Sequence, residues 1–155
     1  MKEVCLILHN VRSAHNVGAI FRTAEAAGVN RIYLTGYTPA PLDRFGRANK
    51  ELAKTALGAE KILEWFVSKN LPNLIKKLGA RTYKLIALEQ HPKSINYRRV
   101  KVKGLTAIIV GNEVTGLSPA ILKQCDVVAE IPMYGRKESL NVAVATGVFL
   151  FSLLK

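Results

Sequence analysis

The segment IPMYGRKESLNVAVATGVFLFSLL, residues 131–154, contains a strand end, a polar loop and then a strongly apolar stretch that predicts a helix. Ser139 is placed to cap this helix, which puts Asn141 in its first turn. A side-chain amide beside so apolar a helix needs partners, because a buried and unpaired amide costs about 1 to 3 kcal/mol. Asn141 therefore either bonds a neighbouring loop or takes part in a functional site.

The same helix is too short to span a membrane. From 140 to 154 it has about fifteen residues, against the roughly twenty that a bilayer requires, and polar side chains interrupt it. We expect a buried helix and no membrane partner. The first residues, MKEVCLILHNVRS, lack the long apolar stretch of a secretory signal, which predicts a cytoplasmic protein. Cys5 and Cys125 match no metal-ligand spacing, so we expect reduced thiols and no metal.

Upstream of this segment, apolar strand-like runs alternate with helical patterns. The runs are VCLIL (4–8), RIYLTG (31–36), YKLIAL (83–88), TAIIVG (106–111) and DVVAEIPM (126–133). This alternation predicts the α/β class, with a parallel sheet flanked by helices on both faces. The pattern predicts a helix capped by Asn16 and closed by Gly28, another that starts at Ser118 and Pro119, and mostly helix over 51–79. We expect residues 1–155 to form a single domain.

The charge of the chain indicates a polyanionic partner. Twenty-three Lys and Arg against eleven Asp and Glu give a net charge of +12, which favours RNA, DNA or an anionic membrane. The basic residues fall in runs, as a binding surface would arrange them: Arg44, Arg47, Lys50 and Lys54, then Lys93, Arg98, Arg99, Lys101 and Lys103. A soluble basic protein without such a partner is the alternative.

Three segments carry polar side chains next to predicted strand ends, where ligands of α/β proteins collect. Asn16 and Arg22 lie on the helix after the first strand, and taken alone they are better explained as an ordinary cap and a solvated arginine. Glu113 follows the strand that ends near Gly111, where a simple turn is the alternative. The third segment is the one that contains Asn141. Common nucleotide and zinc motifs are absent from the sequence, including GxGxxG, GxxxxGK[ST] and HExxH.

Taken together, the three segments resemble the SpoU-type ribose 2′-O-methyltransferases of the SPOUT superfamily. The motifs occur in order as NVGxxxR (16–22) with Gly28, IVGNEVTGLS (109–118) and IPMxGxxxSLNVAVA (131–145). The resemblance implies methyl transfer from S-adenosylmethionine to a ribose 2′-hydroxyl of tRNA or rRNA. It also implies a deep C-terminal trefoil knot and a homodimer built across that region. An apolar final helix with more surface than one sheet face can cover supports the dimer independently.

The resemblance assigns roles by motif position. It places the cofactor against Leu88, Gly111, Ile131, Met133, Ser139 and Leu140, of which Leu88 is fixed by no motif. Its catalytic group comprises Arg22, Asn16, Glu113, Ser139 and Asn141. A guanidinium stays protonated in proteins, so we expect Arg22 to grip a phosphate and stabilise alkoxide charge rather than act as a base. We also expect the site to combine groups from both subunits.

Many members of the family that this sequence resembles carry a separate RNA-binding extension, and we expect none in residues 1–155. Substrate RNA is therefore expected to meet basic residues near this site. The candidates are Arg22, Arg44, Arg47, Arg136 and Lys137, and a solvated basic surface is the alternative for the last four. Two other functions remain open at this point. A relative of the same superfamily could methylate a base nitrogen, and a protein of the same fold could bind RNA or assist ribosome assembly without catalysis.

Overall fold

The chain folds around one sheet of seven strands in the order β3-β2-β1-β6-β4-β7-β5. The computed structural model describes residues 2–154. The strands are β1 (Glu3–His9), β2 (Arg31–Thr35), β3 (Glu64–Ser68), β4 (Lys84–Leu88), β5 (Ile95–Asn96), β6 (Leu105–Val110) and β7 (Val127–Glu130). Each pair of neighbouring strands runs parallel. The predicted α/β architecture with a parallel sheet is confirmed.

Helices cover both faces of the sheet. They are α1 (Ala14–Ala27), α2 (Lys50–Ala56), α3 (Ala59–Ile62), α4 (Leu71–Ala80), α5 (Pro119–Lys123) and α6 (Val142–Leu153), and a short 3-10 helix spans Tyr97–Arg99. Alternate side chains of β1 point to opposite faces. Leu6 and Leu8 join the core under α1 and α6, whereas Cys5 and Ile7 join the core under α4 and α5. This double burial explains why the central strands are apolar without alternation.

The packing of α1 on α2 depends on Gly18. A Cβ atom at this position would collide with the carbonyl oxygen of Leu52 and the hydroxyl of Thr55, both on α2. Glycine therefore permits the close approach of two helix backbones. The close approach at Gly18 is thus made by α2 of the same chain.

The region 51–79 corrects the sequence prediction, because a strand interrupts its helices. β3 pairs with β2 at the edge of the sheet. Its side chains are half-buried or exposed on both faces, so the segment shows neither the alternation nor the continuous apolar run by which strands are recognised. The aromatic and β-branched residues Trp65, Phe66 and Val67 were the available signal. The helix predicted at LPNLIKKLG is confirmed as α4.

One further strand prediction differs from the structure, and one further strand was not predicted. β7 ends at Glu130 rather than at Met133, and Pro132, which has no N–H group to donate, lies just beyond it. β5 has two residues, too few for a recognisable pattern. The helix signals at Gly28, Ser118 and Pro119 are confirmed: Gly28 closes α1 in the left-handed conformation, and Ser118 caps α5 with Pro119 at its start.

None of the helices between residues 2 and 154 combines the length and apolar character that crossing a membrane requires. Both cysteines are free thiols. Burial raises the pKa of Cys5 to about 12 and that of Cys125 to about 11, so both remain protonated and unreactive near neutral pH.

Candidate active site at the carboxyl edge of the sheet

A cavity of about 370 Å³ opens where β4, β6 and β7 end and where α1 and α6 begin. Its walls are formed by Asn16, Leu88, Glu89, Gln90, Val110, Gly111, Asn112, Glu113, Glu130, Ile131, Met133, Ser139, Leu140, Asn141, Val142 and Ala145. The carboxyl ends of parallel strands commonly form ligand sites in this way. Residues from all three sequence motifs therefore line one cavity.

The residues predicted to bind the cofactor all lie in this wall. They are Leu88, Gly111, Ile131, Met133, Ser139 and Leu140. Gly111 is buried, and a Cβ there would lie 2.7 Å from the side chain of Leu117 and 2.9 Å from the backbone of Gly116. Glycine thus lets the turn that follows β6 fold back against the strand end. This turn forms one side of the cavity.

Asn16 and Asn141 meet at the mouth of the cavity. The Nδ2 group of Asn141 donates a hydrogen bond to Oδ1 of Asn16 at 3.1 Å. Asn141 is also the N-cap of α6, because its Oδ1 accepts from the backbone N–H groups of Ala143 at 2.8 Å and Val144 at 3.2 Å. A single amide therefore joins the start of α6 to the start of α1.

Both cap predictions near the site were wrong. Ser13 caps α1 and accepts from the N–H of Asn16 at 3.2 Å, so Asn16 lies inside the first turn. Ser139 lies two residues before the true cap of α6, Asn141. The sequence signal failed because Ser and Asn are both strong N-caps and occur close together at both places. The side chains of Asn16 and Ser139 are consequently available to the cavity.

Glu113 fixes the loop that leads into α1. Its carboxylate accepts from the backbone N–H groups of Arg12 at 3.2 Å and Ser13 at 3.3 Å. The neighbouring Asn112 donates to the carbonyl oxygen of Asn10 at 3.0 Å. The turn after β6 thus positions the motif that carries Asn16.

Arg22 does not line this cavity. It is exposed on α1 and borders a second, open cavity of about 500 Å³. The other residues there are Ala19, Thr23, Ala26, Lys54, Thr55, Leu57 and Phe151. Within one chain, the predicted catalytic arginine is therefore separated from Asn16, Glu113, Ser139 and Asn141.

The other basic candidates lie on exposed loops. Arg136 and Lys137 lie between β7 and α6 and are exposed. Arg44 and Arg47 place their guanidinium carbons 4.8 and 5.0 Å from the centre of the Phe45 ring. Asp43 also pairs with Arg47 at 2.8 Å. Hydrogen bonds from the backbone and then the side chain of Arg47 hold the pKa of Asp43 below its usual value.

Glu89 and Gln90, which follow β4 directly, were not predicted from the sequence as site residues. The Glu89 carboxylate accepts from the N–H of Leu117 at 2.9 Å, and the Gln90 amide donates to the carbonyl oxygen of Glu138 at 2.7 Å. They tie the end of β4 to the other two loops of the cavity. The available signal was a polar pair immediately after the buried run YKLIAL.

Among residues 2–154, no group of three or more His, Cys, Asp and Glu side chains is arranged to hold a metal ion. The cavity instead combines apolar walls with amides, a hydroxyl and three carboxylates, those of Glu89, Glu113 and Glu130. Such a lining suits an organic ligand that has both an apolar part and a cationic part.

Residues 3–151 match the model of the SpoU rRNA methylase family. A 23S rRNA (guanosine-2′-O-)-methyltransferase of Pseudomonas aeruginosa is 34% identical over 150 residues, which cover 97% of this chain and 58% of that protein. A tRNA (guanosine(18)-2′-O)-methyltransferase of Aquifex aeolicus is 35% identical over 153 residues, which cover 97% of this chain and 68% of that protein.

The fold has a close match among solved structures. An AdoMet-bound rRNA methyltransferase from Sinorhizobium meliloti superposes with a TM-score of 0.88 at 30% identity, covering 98% of this chain and 56% of that one. This chain thus spans less than two thirds of the length of the Pseudomonas and Sinorhizobium proteins.

Proposed function

The chain belongs to the SpoU rRNA methylase family, and from this premise we propose that it transfers a methyl group from S-adenosylmethionine to a ribose 2′-hydroxyl of tRNA or rRNA. The observation that carries the proposal is the convergence of the three motifs on one cavity, with Asn16 and Asn141 bonded at its mouth. The relatives are named for this chemistry on rRNA and on tRNA. This chain spans 58% of the Pseudomonas protein, so its own activity and substrate are proposals and are not transferred from that protein's name.

The cavity fits S-adenosylmethionine in size, apolar character and charge. Its volume of about 370 Å³ falls in the range of small-molecule sites. Leu88, Ile131 and Leu140 offer apolar walls to an adenine ring, and the carboxylates of Glu89 and Glu130 favour a sulfonium cation. We assign cofactor contacts to Leu88, Gly111, Ile131, Met133, Ser139 and Leu140.

S-adenosylmethionine supplies an activated methyl group, so the chain has to orient the ribose and help the hydroxyl lose its proton. We assign the Nδ2 group of Asn16 to a ribose oxygen, because its Oδ1 already accepts from Asn141. The Ser139 hydroxyl lines the same wall and orients the ligand from the α6 side. Glu113 acts through position, by holding the two N–H groups that precede α1.

Arg22 serves this reaction from a second copy of the chain. The side chain borders a cavity that also contains Phe151 of α6. Phe151 is 53% exposed, and Val144 and Val148 on the same helix are 52% and 38% exposed. An exposed apolar face of this kind is typical of an interface between subunits. We infer a homodimer across this face, in which Arg22 of one copy grips a phosphate at the cavity of the other.

The guanidinium of Arg22 is not the base of this mechanism, since it stays protonated in proteins. Its role is to hold the phosphate beside the target ribose and to stabilise negative charge that develops on the 2′-oxygen. A phosphate oxygen or water takes the proton. Arg44, Arg47, Arg136 and Lys137 contribute further contacts to the RNA backbone, where exposed cations bind through charge.

We also infer that the C-terminal region is threaded as a trefoil knot. The family resemblance carries this inference, and the strand order, with β6 between β1 and β4 and β7 between β4 and β5, is compatible with it. The hydrogen bond from Gln90 to the carbonyl oxygen of Glu138 further ties the loop after β4 to the loop after β7. Knotted chains are rare, so this threading is a specific property of the proposed enzyme.

The test is methyl transfer to RNA. Purified protein is incubated with methyl-labelled S-adenosylmethionine and, separately, bulk tRNA and bulk rRNA from cells that lack the protein. Label in alkali-resistant dinucleotides is expected, because a methylated 2′-oxygen cannot attack the neighbouring phosphate. Label confined to alkali-sensitive material would indicate base methylation. Failure to bind S-adenosylmethionine would favour the non-catalytic RNA-binding function.

A further inference from the structure

The loop between β2 and α2, residues 36–49, exposes two aromatic rings. Tyr37 is 60% exposed and Phe45 is 67% exposed. Basic side chains accompany them, with Arg44 and Arg47 on either side of Phe45 in the sequence. Aromatic rings interleaved with arginines on a surface suit a partner that has both flat apolar faces and negative charge.

Tyr37 is fixed beside the candidate active site. Its hydroxyl accepts a hydrogen bond from the amide of Asn112 at 2.8 Å, and Asn112 lines the 370 Å³ cavity. Its backbone N–H donates to the side chain of Asn10 at 3.1 Å. The hydroxyl group and the backbone of Tyr37 are therefore both held in place, while much of the side chain faces solvent. A rigid exposed ring loses little conformational freedom when a ligand stacks on it.

Phe45 is presented by an ordered turn. One carboxylate oxygen of Asp43 accepts from the N–H groups of Phe45 at 2.8 Å and Arg47 at 2.9 Å. The other accepts from the guanidinium of Arg47 at 2.8 Å. Leu42 and Ala48 close the base of the turn by an antiparallel bridge. The turn therefore holds an aromatic ring and two guanidinium planes together at its tip.

The partner that matches this chemistry is single-stranded RNA. Unpaired bases offer flat faces to aromatic rings and guanidinium planes, and each base brings a phosphate. Paired bases are already stacked within a duplex and present mainly backbone. The net charge of +12 gives the required complementarity.

We propose that Tyr37 and Phe45 form a nucleobase-stacking surface for unpaired nucleotides of the RNA substrate, with Tyr37 binding closest to the methylated ribose. This proposal deepens the proposed function, on which it rests for the identity of the substrate as RNA. It gives the loop 36–49 a role in selecting single-stranded regions over duplex.

The experiment measures binding of a fluorescently labelled 12-nucleotide single-stranded RNA, and of the same strand in a duplex, by the full chain. Tyr37→Leu and Phe45→Leu remove a ring without altering charge. Each is expected to weaken single-strand binding about 5- to 140-fold, which corresponds to 1 to 3 kcal/mol per stacked base. The salt dependence of log Kd should keep its slope, because no phosphate contact is lost. Duplex binding should change little.

Conservative and remote variants serve as controls. Tyr37→Phe and Phe45→Tyr keep a ring and should retain most of the affinity. Phe66→Leu makes the same chemical change at a 42% exposed phenylalanine on the edge strand β3, and should leave RNA binding unchanged. Thermal unfolding of each variant reports whether the loop substitutions disturb the fold.

Unchanged single-strand affinity in both leucine variants would overturn the proposal, and so would an equal loss for duplex. A change in the mass of the particle in solution would show instead that the rings lie between copies of the chain. The proposed function is scored separately by methyl transfer in the unaltered protein. If the unaltered protein transfers methyl groups but the leucine variants bind RNA normally, only the stacking surface is rejected. If the leucine variants bind RNA weakly but the unaltered protein transfers no methyl group, only the proposed enzymatic activity is rejected.

Discussion

The two cavities described above differ in what they contain, although α1 borders both. The cavity at the sheet edge contains Asn16 with the amides, hydroxyl and carboxylates expected of a ligand site. The cavity between α1, α2 and α6 contains Arg22 beside Phe151 and other largely small or apolar side chains. One region has the binding groups without the predicted catalytic arginine, and the other has that arginine without the binding groups.

Helix geometry explains this separation. Six residues along an α-helix advance about 9 Å and leave two side chains about 120° apart around the axis. Asn16 and Arg22 are therefore unable to face one ribose from the same straight helix. A second copy packed on the exposed face of α6 is the arrangement that could bring the two regions together.

The largest effect is expected from Arg22→Ala. Methyl transfer should fall at least about a hundredfold, because a charge that stabilises the transition state is lost. Calorimetric titration with S-adenosylmethionine should be nearly unchanged, since Arg22 lies outside the cavity. Arg22→Lys is the matched control and should recover only part of the rate, because lysine lacks the planar fork. Undiminished turnover of Arg22→Ala would refute the role.

Phe151→Asp is expected to separate the two copies, because it places a hydrated carboxylate on the apolar face of α6 that the proposed dimer buries. Sedimentation should show a smaller particle, and transfer should fall at least about tenfold if the site needs both subunits. Ile62→Asp is the control, because Ile62 is 73% exposed on α3, away from α6. A monomeric Phe151→Asp variant with full methyl-transfer activity would contradict the proposal that the site needs both subunits.

Two substitutions of Asn141 should distinguish a structural role of its side chain from a functional one at the cavity at the sheet edge. Asn141→Ala removes the cap of α6, so the free energy of unfolding should fall by about 1 kcal/mol and transfer should fall as well. Asn141→Asp keeps the capping oxygen but lacks the donor to Asn16. It should leave stability close to normal while transfer still drops. Equal activity of Asn141→Asp and the unaltered protein would remove the amide contact from the mechanism.

The smallest effect is a pH dependence on the side of the first cavity. Burial lowers the pKa of His9 from its ordinary value of 6.5, and the ring bonds the Thr35 hydroxyl at 2.9 Å. Below pH 6.5 the unfolded chain therefore binds more protons at His9 than the folded chain, so stability falls as pH decreases. Between pH 7.5 and 5.5 this contribution should lower Tm as the pH falls, and less than any of the substitutions above. In His9→Gln, the difference in Tm between pH 7.5 and pH 5.5 should be smaller than in the unaltered protein. An equal difference in both proteins would show that His9 does not cause it.

The sequence predicted the central sheet well because its strands are buried on both faces. Runs such as VCLIL and TAIIVG are apolar throughout, and β1 and β6 lie where they were expected. β3 was missed because an exposed edge strand has little burial to impose a pattern. The caps of α1 and α6 were misplaced because Ser13, Asn16, Ser139 and Asn141 are all of capping type, and sequence spacing does not rank them.

The site was predicted less evenly than the sheet. Nine of the predicted site residues line one cavity, eight of them placed by motif position and Leu88 without a motif, whereas Arg22 lies at the other cavity. Glu89 and Gln90 escaped because no motif marks the end of β4. The separation of Arg22 from Asn16 depends on which face of α1 each residue occupies relative to α6, a tertiary property that local patterns do not contain. The cytoplasmic location and the single-domain organisation stay predictions.

The central claim is that Arg22 of one copy completes the cavity of the other. Two inactive variants, Arg22→Ala and the cavity-filling Ile131→Trp, are co-expressed with different affinity tags, and the mixed dimer is isolated by two successive purifications. If Arg22 acts across the dimer, one of the two sites is complete and the mixed dimer should show about half of the wild-type methyl transfer. If Arg22 acts within its own chain, both sites are defective, and a mixed dimer without activity would contradict the account.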